Sequence, residues 1–477
     1  MLDLLIRNGT VVTPSGASIA DVAIRDGKFT ALAAPGEIND DAARTIDATG
    51  LLVLPGGIEP HAHLNERVPV PWAGRRDVYT QQPPDASRAA LFGGVTTIID
   101  FAGPPRRDDG QPPIPDIEND VQARRAQFQG RSYTDFAFHY TLFGNVSPDT
   151  LDQIPAAVQA GIASFKIFTT GNARVPWGYV HGVFQAVAGA AGIMAVHAEE
   201  SDLVTYMTEK LKREGRDQGF NLPLVHSNLS EDLAFHAVTR LARDTGVGIY
   251  FVHTTAKEGV QAIDEARRDG LPVYGEALHN YLHFTADDYH QPQGTKVHTY
   301  PAIKSADDRD ALTAALLDGR LATTATDDYT THLDVKLSGD TLDTVCGGHN
   351  GIETRIPVAF TKLVQERGMS LSRFGDVTST NAAKILGLYP RKGIIQPGSD
   401  ADLVLLDPTL NKTITLDDLH ADSDYSIWEG FACRGYPVTT VLRGNVVLEN
   451  GELLGSLDDG QWLPRAVDPA ILAGPAL

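Results

Sequence analysis

The sequence predicts an α/β chain: a (β/α)8 TIM barrel with a smaller β domain assembled from both chain ends. Three observations carry this. Near-continuous apolar runs recur at about 30–50 residue intervals through residues 55–385, as buried strands do. Amphipathic segments of helical period lie between them, which implies parallel strands covered on both faces. Period-2 runs with glycine turns occupy the two ends of the chain instead.

At the N-terminus, "LLIRNGTVVT", "ADVAIRDGKFTALA" and "RTIDATGLLVLPG" alternate apolar and polar residues, and Asn8-Gly9 and Asp26-Gly27 are expected as the turns of a small antiparallel sheet. The same texture returns in "KGIIQPGSDADLVLLDP" and "PVTTVLRGNVVLENGEL". Residues 1–54 and 386–455 therefore form the minor domain, 55–385 the barrel and 456–477 a C-terminal tail. In the middle, "LLVLPGGIEPHAH", "GGVTTIIDFAG", "TDFAFHYTLFG", "ASFKIFTT", "GIMAVHAEE", "GVGIYFVHTT", "LPVYGEALHNYL" and "LATTATDD" are the barrel strands. "SEDLAFHAVTRLARDTG" and "TAKEGVQAIDEARRDG" are two of the helices between them. A doubly wound open sheet is the alternative arrangement.

The length of 477 residues exceeds what one core supports, in keeping with two domains. The formal charge of −21 argues against binding nucleic acid or an anionic membrane surface. Cys346 and Cys433 are the only cysteines, too few for a disulfide framework and not spaced as a zinc motif. No stretch approaches ~18 uninterrupted apolar residues, and the N-terminus lacks a signal-peptide pattern. A cytoplasmic protein is expected, so the sequon at Asn8 is read as chance.

Chemistry gathers where the apolar runs end. The first ends in His61 and His63, the fourth carries Lys166, the fifth ends in His197, the sixth in His253 and the eighth in Asp327. The C-terminal strand ends of such a barrel form its active face. Residues two apart on a strand share a side, so His61 and His63 can bind one ion. Each residue alone has an ordinary structural explanation; six at one end of one barrel point to a metal site. Lys166 fits this reading. A desolvated lysine tends to its neutral form, and a neutral amine reacts with carbon dioxide to give a carbamate, an anion able to bridge two cations. His279, His298 and His349 are expected as surface polar residues outside the metal set.

Through "GGIEPHAHL", "GGVTTIIDF", "ASFKIF", "VHAEE", "FVHTT", "GGHNGIETRIPVAF" and "STNAAKILGLYPRKGIIQPGSDADLVLLDP", in order along nearly the whole chain, the sequence resembles the cyclic amidohydrolases of the amidohydrolase superfamily. "DYSIWEGFACRGYPVTTVLRGNVVLENGE" is similar to the hydantoinase and dihydropyrimidinase branch. The resemblance implies a flanking β-sandwich, two divalent ions (zinc, with manganese as alternative) and a homotetramer or dimer. It gives one metal to His61, His63, carboxylated Lys166 and Asp327, and the other to Lys166, His197 and His253. Asp327 would be the general acid–base, and a metal-bridging hydroxide the nucleophile. Asn65, Arg67 and Asn350 would lie on substrate contacts. The expected activity opens a cyclic amide or ureide ring; the alternatives are an allantoinase, a cyclic imide or lactam hydrolase, or a non-catalytic relative. Three departures leave the ring itself open. Gly171 stands where hydantoinases carry a tyrosine, Leu64-Asn65-Glu66 matches allantoinases, and Asp328 replaces a usual His or Gln.

Overall fold

The computed structural model describes residues 1–70, 74, 77–105 and 114–477. The N-terminal strands are β1 (Leu2–Thr13), β2 (Gly16–Arg25), β3 (Lys28–Ala33), β4 (Ala42–Asp47) and β5 (Leu52–Pro55). The barrel strands are β6 (Gly57–Ala62), β7 (Val95–Ala102), β8 (Asp135–Thr141), β9 (Ser164–Phe168), β10 (Ile193–His197), β11 (Gly248–Phe251), β12 (Val273–Leu278) and β13 (Thr323–Ala325). The last four are β14 (Leu403–Thr413), β15 (Ala432–Leu442), β16 (Asn445–Glu449) and β17 (Glu452–Leu453).

The eight strands from β6 to β13 pair in sequence order and in parallel. Each of the eight apolar runs thus supplies a barrel strand, the first from its second half only, since its Leu52–Pro55 is β5 of the other sheet. A parallel bridge between Ala62 and Asp328 brings the last strand back to the first, supported by His63 N donating to Asp328 O at 2.8 Å. Helices such as Pro83–Phe92, Trp177–Gly189, Asn228–Thr245 and Lys257–Arg268 cover the outside.

Alternation along each strand sorts the core. On β10, Met194 and Val196 pack outward against helices, while Ile193 and Ala195 face the lumen with Ile99, Ala137 and Tyr250. The same parity carries His197 at the top of β10, and Lys166 above Ser164 on β9. The lumen is apolar at its floor and polar at its mouth. The floor is plugged by Ala382–Leu388 and by the C-terminal tail, whose Leu463 and Ile471 join the lumen cluster. The buried Arg465 guanidinium there donates to Leu386 O (3.0 Å), Ser164 Oγ (2.8 Å) and Phe138 O.

The two chain ends form a second sheet of nine strands, in the order β17-β16-β15-β14-β5-β1-β2-β3 with β4 beside β1. Val22, Ile24 and Phe29 from one end of this path share an apolar cluster with Leu403, Leu405 and Val441 from the other. Strands so far apart in the ladder meet only if the sheet folds onto itself, which is sandwich packing. The sheet is mixed, not purely antiparallel, because β4 and β5 run parallel to β1. Asp26-Gly27 is the expected turn, with φ of 51° and 72°. Asn8-Gly9 is not a turn: it is a bulge inside β1, where the register shifts between Ile6 and Gly9. A Cβ on Gly9 would stand 2.4 Å from Val53 Cγ2, so the bulge lets β1 lie against its neighbour.

Candidate metal centre

The mouth of the barrel opens into a cavity of ≈ 570 Å³ lined by His61, His63, Lys166, His197, His253 and Asp327. All six residues singled out from the strand ends therefore meet in one place. Candidate ligand atoms of His61, His63 and Asp327 lie within 4.8 Å of one another. Asp327 Oδ1 is 3.1 Å from His61 Nε2 and 3.2 Å from His63 Nε2. The rings of His197 and His253 are 4.5 Å apart, and that of His253 is 5.4 Å from His61. His253 and Asp327 hold φ of 38° and 51°, left-handed values that non-glycine residues adopt at a cost.

Carboxylates aim the rings of His61, His63 and His197 and hold the backbone of His253. The Glu276 carboxylate accepts from His61 Nδ1 (2.9 Å), from the His253 backbone N–H (2.9 Å) and from Tyr250 OH (2.6 Å). Glu66 accepts from His63 Nδ1 at 3.1 Å. Glu199 accepts from His197 Nε2 at 2.9 Å, which leaves Nδ1 toward the cavity, and from His226 Nδ1 at 2.8 Å. Glu59 accepts from the backbone N–H groups of His61 and Thr326 and pairs with Arg355 Nε at 2.9 Å. Fixing ring orientation and tautomer in this way is what a metal site requires.

Electrostatics follow from burial. It lowers the pKa of His61 and His197, and that of His253 strongly, so these rings are neutral donors. At His63, burial disfavours the cation, but Glu66 and Asp327 outweigh it and push the ring up to about 10. At Asp327, burial opposes ionisation, yet His61 and His63 hold the carboxyl well below the usual range. Lys166 is 1 % exposed and makes no hydrogen bond or ion pair among the described residues. Its Nζ sits 5.0 Å and 4.9 Å from the ring centroids of Phe101 and Phe168. Burial lowers its pKa to about 8. The donor set suits divalent cations: His61 Nε2 is buried and makes no aligned hydrogen bond although Asp327 Oδ1 stands 3.1 Å away, and Lys166 is a buried amine with no hydrogen bond or ion pair among the described residues.

The expected substrate contacts are placed differently. Asn65 and Arg67 face a neighbouring cleft, and Asn65 is spent on Gln82 (2.6 Å) and Gln127 (3.1 Å). Its φ of 48° turns the chain so that Glu66, the next residue, lines the cavity. Asn350 is buried, its amide donating to Ser423 Oγ (3.2 Å) and Tyr425 O; Gly347 and Gly348 of the same segment line the cavity instead. Asp328 takes a positioning role. Oδ2 accepts from the N–H groups of Gly351 (3.0 Å) and Ile352 (3.1 Å), and Oδ1 accepts from Gln81 and Thr330 at 2.8 Å. His279, His298 and His349 are fully buried, not surface residues as expected, because loops pack over the barrel mouth and enclose them beside Trp428 and Tyr300. Glu59, Glu199 and Glu276 escaped the reading of the sequence. Acids inside apolar runs, they carry the same signal that exposed Lys166.

Residues 52–447 match the Amidohydrolase family, and the chain belongs to that family. It is 31% identical over 478 residues to D-hydantoinase of Geobacillus stearothermophilus, with 98% of each chain covered. It is 32% identical over 478 residues to dihydropyrimidinase of Rattus norvegicus, covering 97% of this chain and 88% of that one. A solved D-hydantoinase structure superposes with a TM-score of 0.90 at 30% identity, covering 98% of this chain and 99% of that one. No helix among the described residues is long and apolar enough to cross a membrane.

Proposed function

We propose that this protein is a metal-dependent hydrolase that opens a cyclic amide or ureide ring, in the manner of the hydantoinases and dihydropyrimidinase it is similar to. The observation that carries the reading is the convergence of four histidines, Asp327 and a buried lysine on one cavity. His61, His63 and Asp327 would hold one divalent ion, and His197 and His253 a second. Lys166 would serve both after carboxylation: its neutral amine adds to carbon dioxide, a C–N bond forms, and a proton leaves. Zinc suits this imidazole and carboxylate set, with manganese the alternative. When bound, such ions supply an acidified water as nucleophile and an electrophile for the scissile carbonyl.

The chain's own groups do the rest. Asp327, tied to both His61 and His63, takes up the proton released by the attacking water and delivers it to the ring nitrogen, which is a poor leaving group unless protonated. Glu276, Glu199 and Glu66 keep the imidazoles in register throughout. Phe168, Tyr300, Tyr329 and Val345 give the cavity an apolar wall that accepts a ring and an exocyclic substituent. An allantoinase is the second reading, favoured by the Leu64-Asn65-Glu66 segment, whose Glu66 lines the cavity.

A cytoplasmic location is in keeping with two free, buried cysteines. A homodimer or tetramer is supported by exposed Tyr206, Phe220, Leu224, Leu229 and Leu233, large apolar side chains crowded into one helical region. The deciding experiment loads the purified protein with zinc or manganese plus bicarbonate and assays dihydrouracil, 5-substituted hydantoins, allantoin and succinimide together. Ring opening of at least one is expected; no turnover with two metals bound refutes the reading.

A further inference from the structure

Lys336 ends a short helix, Leu333–Lys336, and is wholly buried. Its Nζ donates to three backbone carbonyls: His298 (2.7 Å), Cys346 (2.8 Å) and Gly348. An ammonium has three N–H bonds, so all of them are committed. The ionisable groups facing it are the Cys346 thiol, His298 and His349. Burial raises the thiol, holds His298 well below its ordinary range and lowers His349 to about 4, leaving all three neutral near pH 7. The ammonium has no counter-charge among the described residues, an arrangement that costs stability and calls for a compensating role.

The three carbonyls belong to two segments of one cavity wall, which presents Thr299 and Tyr300 from one and Cys346, Gly347 and Gly348 from the other. In a planar trans peptide the C=O and N–H of one unit point in opposite directions. The units His298–Thr299 and Cys346–Gly347 turn their carbonyls to Lys336, so the N–H groups of Thr299 and Gly347 point away from it. Neither N–H has a hydrogen-bond acceptor among the described residues. The wall has no slack. A Cβ on Gly347 would stand 2.4 Å from Tyr300 Cδ2, and one on Gly348 would stand 2.4 Å from Tyr329 Cβ.

We propose that Lys336 is a positioning residue for substrate: its ammonium clamps the two segments so that the Thr299 and Gly347 N–H groups face the cavity as donors to the carbonyl oxygens of the bound ring. This rests on the cyclic-amide reading above. The clamp has its own signature, because a lysine that loses its proton has two N–H bonds for three carbonyls. Burial lowers Lys336 to about 8, which places that loss in an accessible range.

The test follows KM and kcat of the metal- and bicarbonate-loaded full chain from about pH 6.5 to about 9.5 on a ring it turns over. Wild-type KM is expected to rise roughly tenfold above about pH 8, the scale of one lost charged hydrogen bond. Lys336→Met is expected to show that higher KM at every pH, with kcat within about threefold and bound metal unchanged. A folded Lys336→Met variant with wild-type KM, or with the wild-type pH dependence, overturns the clamp. If the variant does not fold, the wild-type profile decides: a rise supports the clamp and a flat KM overturns it. Wild type inactive on every ring brings down the amide reading and the clamp together, which is distinct from turnover without a KM effect.

Discussion

Glu276 offers the sharpest test of the metal centre, because one carboxylate serves two ligand candidates. Oε1 accepts from His61 Nδ1 and from the His253 N–H, both at 2.9 Å, while Oε2 accepts from Tyr250 OH at 2.6 Å. Glu276→Gln can keep this geometry. The amide oxygen takes the two bonds of Oε1, and the amide nitrogen donates to the Tyr250 oxygen, whose proton turns to Thr323 Oγ1, 2.7 Å away. What is lost is the negative charge that makes His61 a stronger ligand, and the expected cost is about tenfold in metal affinity, the low end for such partners. Glu276→Leu removes the acceptors as well and leaves His61 Nδ1 and the His253 N–H unsatisfied in a site with no water-exposed side, so about a hundredfold loss is expected. The assay is competition of the metal-free protein against a chromophoric chelator for zinc, with circular dichroism to confirm the fold. Affinities within twofold of wild type for both variants would refute the claim that Glu276 orients the ligands.

Further outcomes follow from two other buried lysines. Lys166 reacts with carbon dioxide only as the neutral amine, and with its pKa lowered to about 8 that form grows as pH rises. After carbon dioxide is stripped, the rate of its return at constant dissolved carbon dioxide should climb roughly tenfold per pH unit up to about 8 and then level off, read by native mass spectrometry. A pH-independent rate would count against the carbamate, as would full activity of Lys166→Ala, which should instead lose metal and be partly rescued by a short-chain carboxylic acid. Lys392 lies between barrel and sandwich, 2.6 Å from both Asp135 and Asp402 and 3.1 Å from Asp400. Lys392→Met strands these carboxylates and should destabilise the fold by about 3–5 kcal/mol, seen as a lower denaturant midpoint. Burial opposes ionisation of Asp400, but Lys392, Lys28 and Arg391 hold it at about 2 against an ordinary 3.8. Its contribution is complete above the ordinary value and is lost as pH falls through about 2, while acid neutralises the carboxylates stranded in Lys392→Met, so the stability gap between wild type and variant should narrow as pH falls below 3.8.

The elements and the donor set are legible from residue order alone. Burial on both faces demands apolar runs, so the eight strands stood out, and a His, Lys or Asp ending such a run is conspicuous because burying it is costly. Lys166 was legible for this reason, and Glu59 and Glu276 carried the same signal. Which loop atoms face the cavity is set by contacts between distant parts of the chain. Asn65, Arg67 and Asn350 looked suitable by residue type, yet a left-handed turn at Asn65 and the Ser423–Tyr425 loop direct them elsewhere. Asn8-Gly9 shows the same limit, a turn signal that became a bulge once β5 lay against β1. The carbonyls gathered by Lys336 come from residues 298, 346 and 348, and no local pattern brings them together. Periodicity and burial cost act within one element, where sequence order is spatial order; which way a loop turns its side chains and peptide groups depends on what packs against it from elsewhere in the chain.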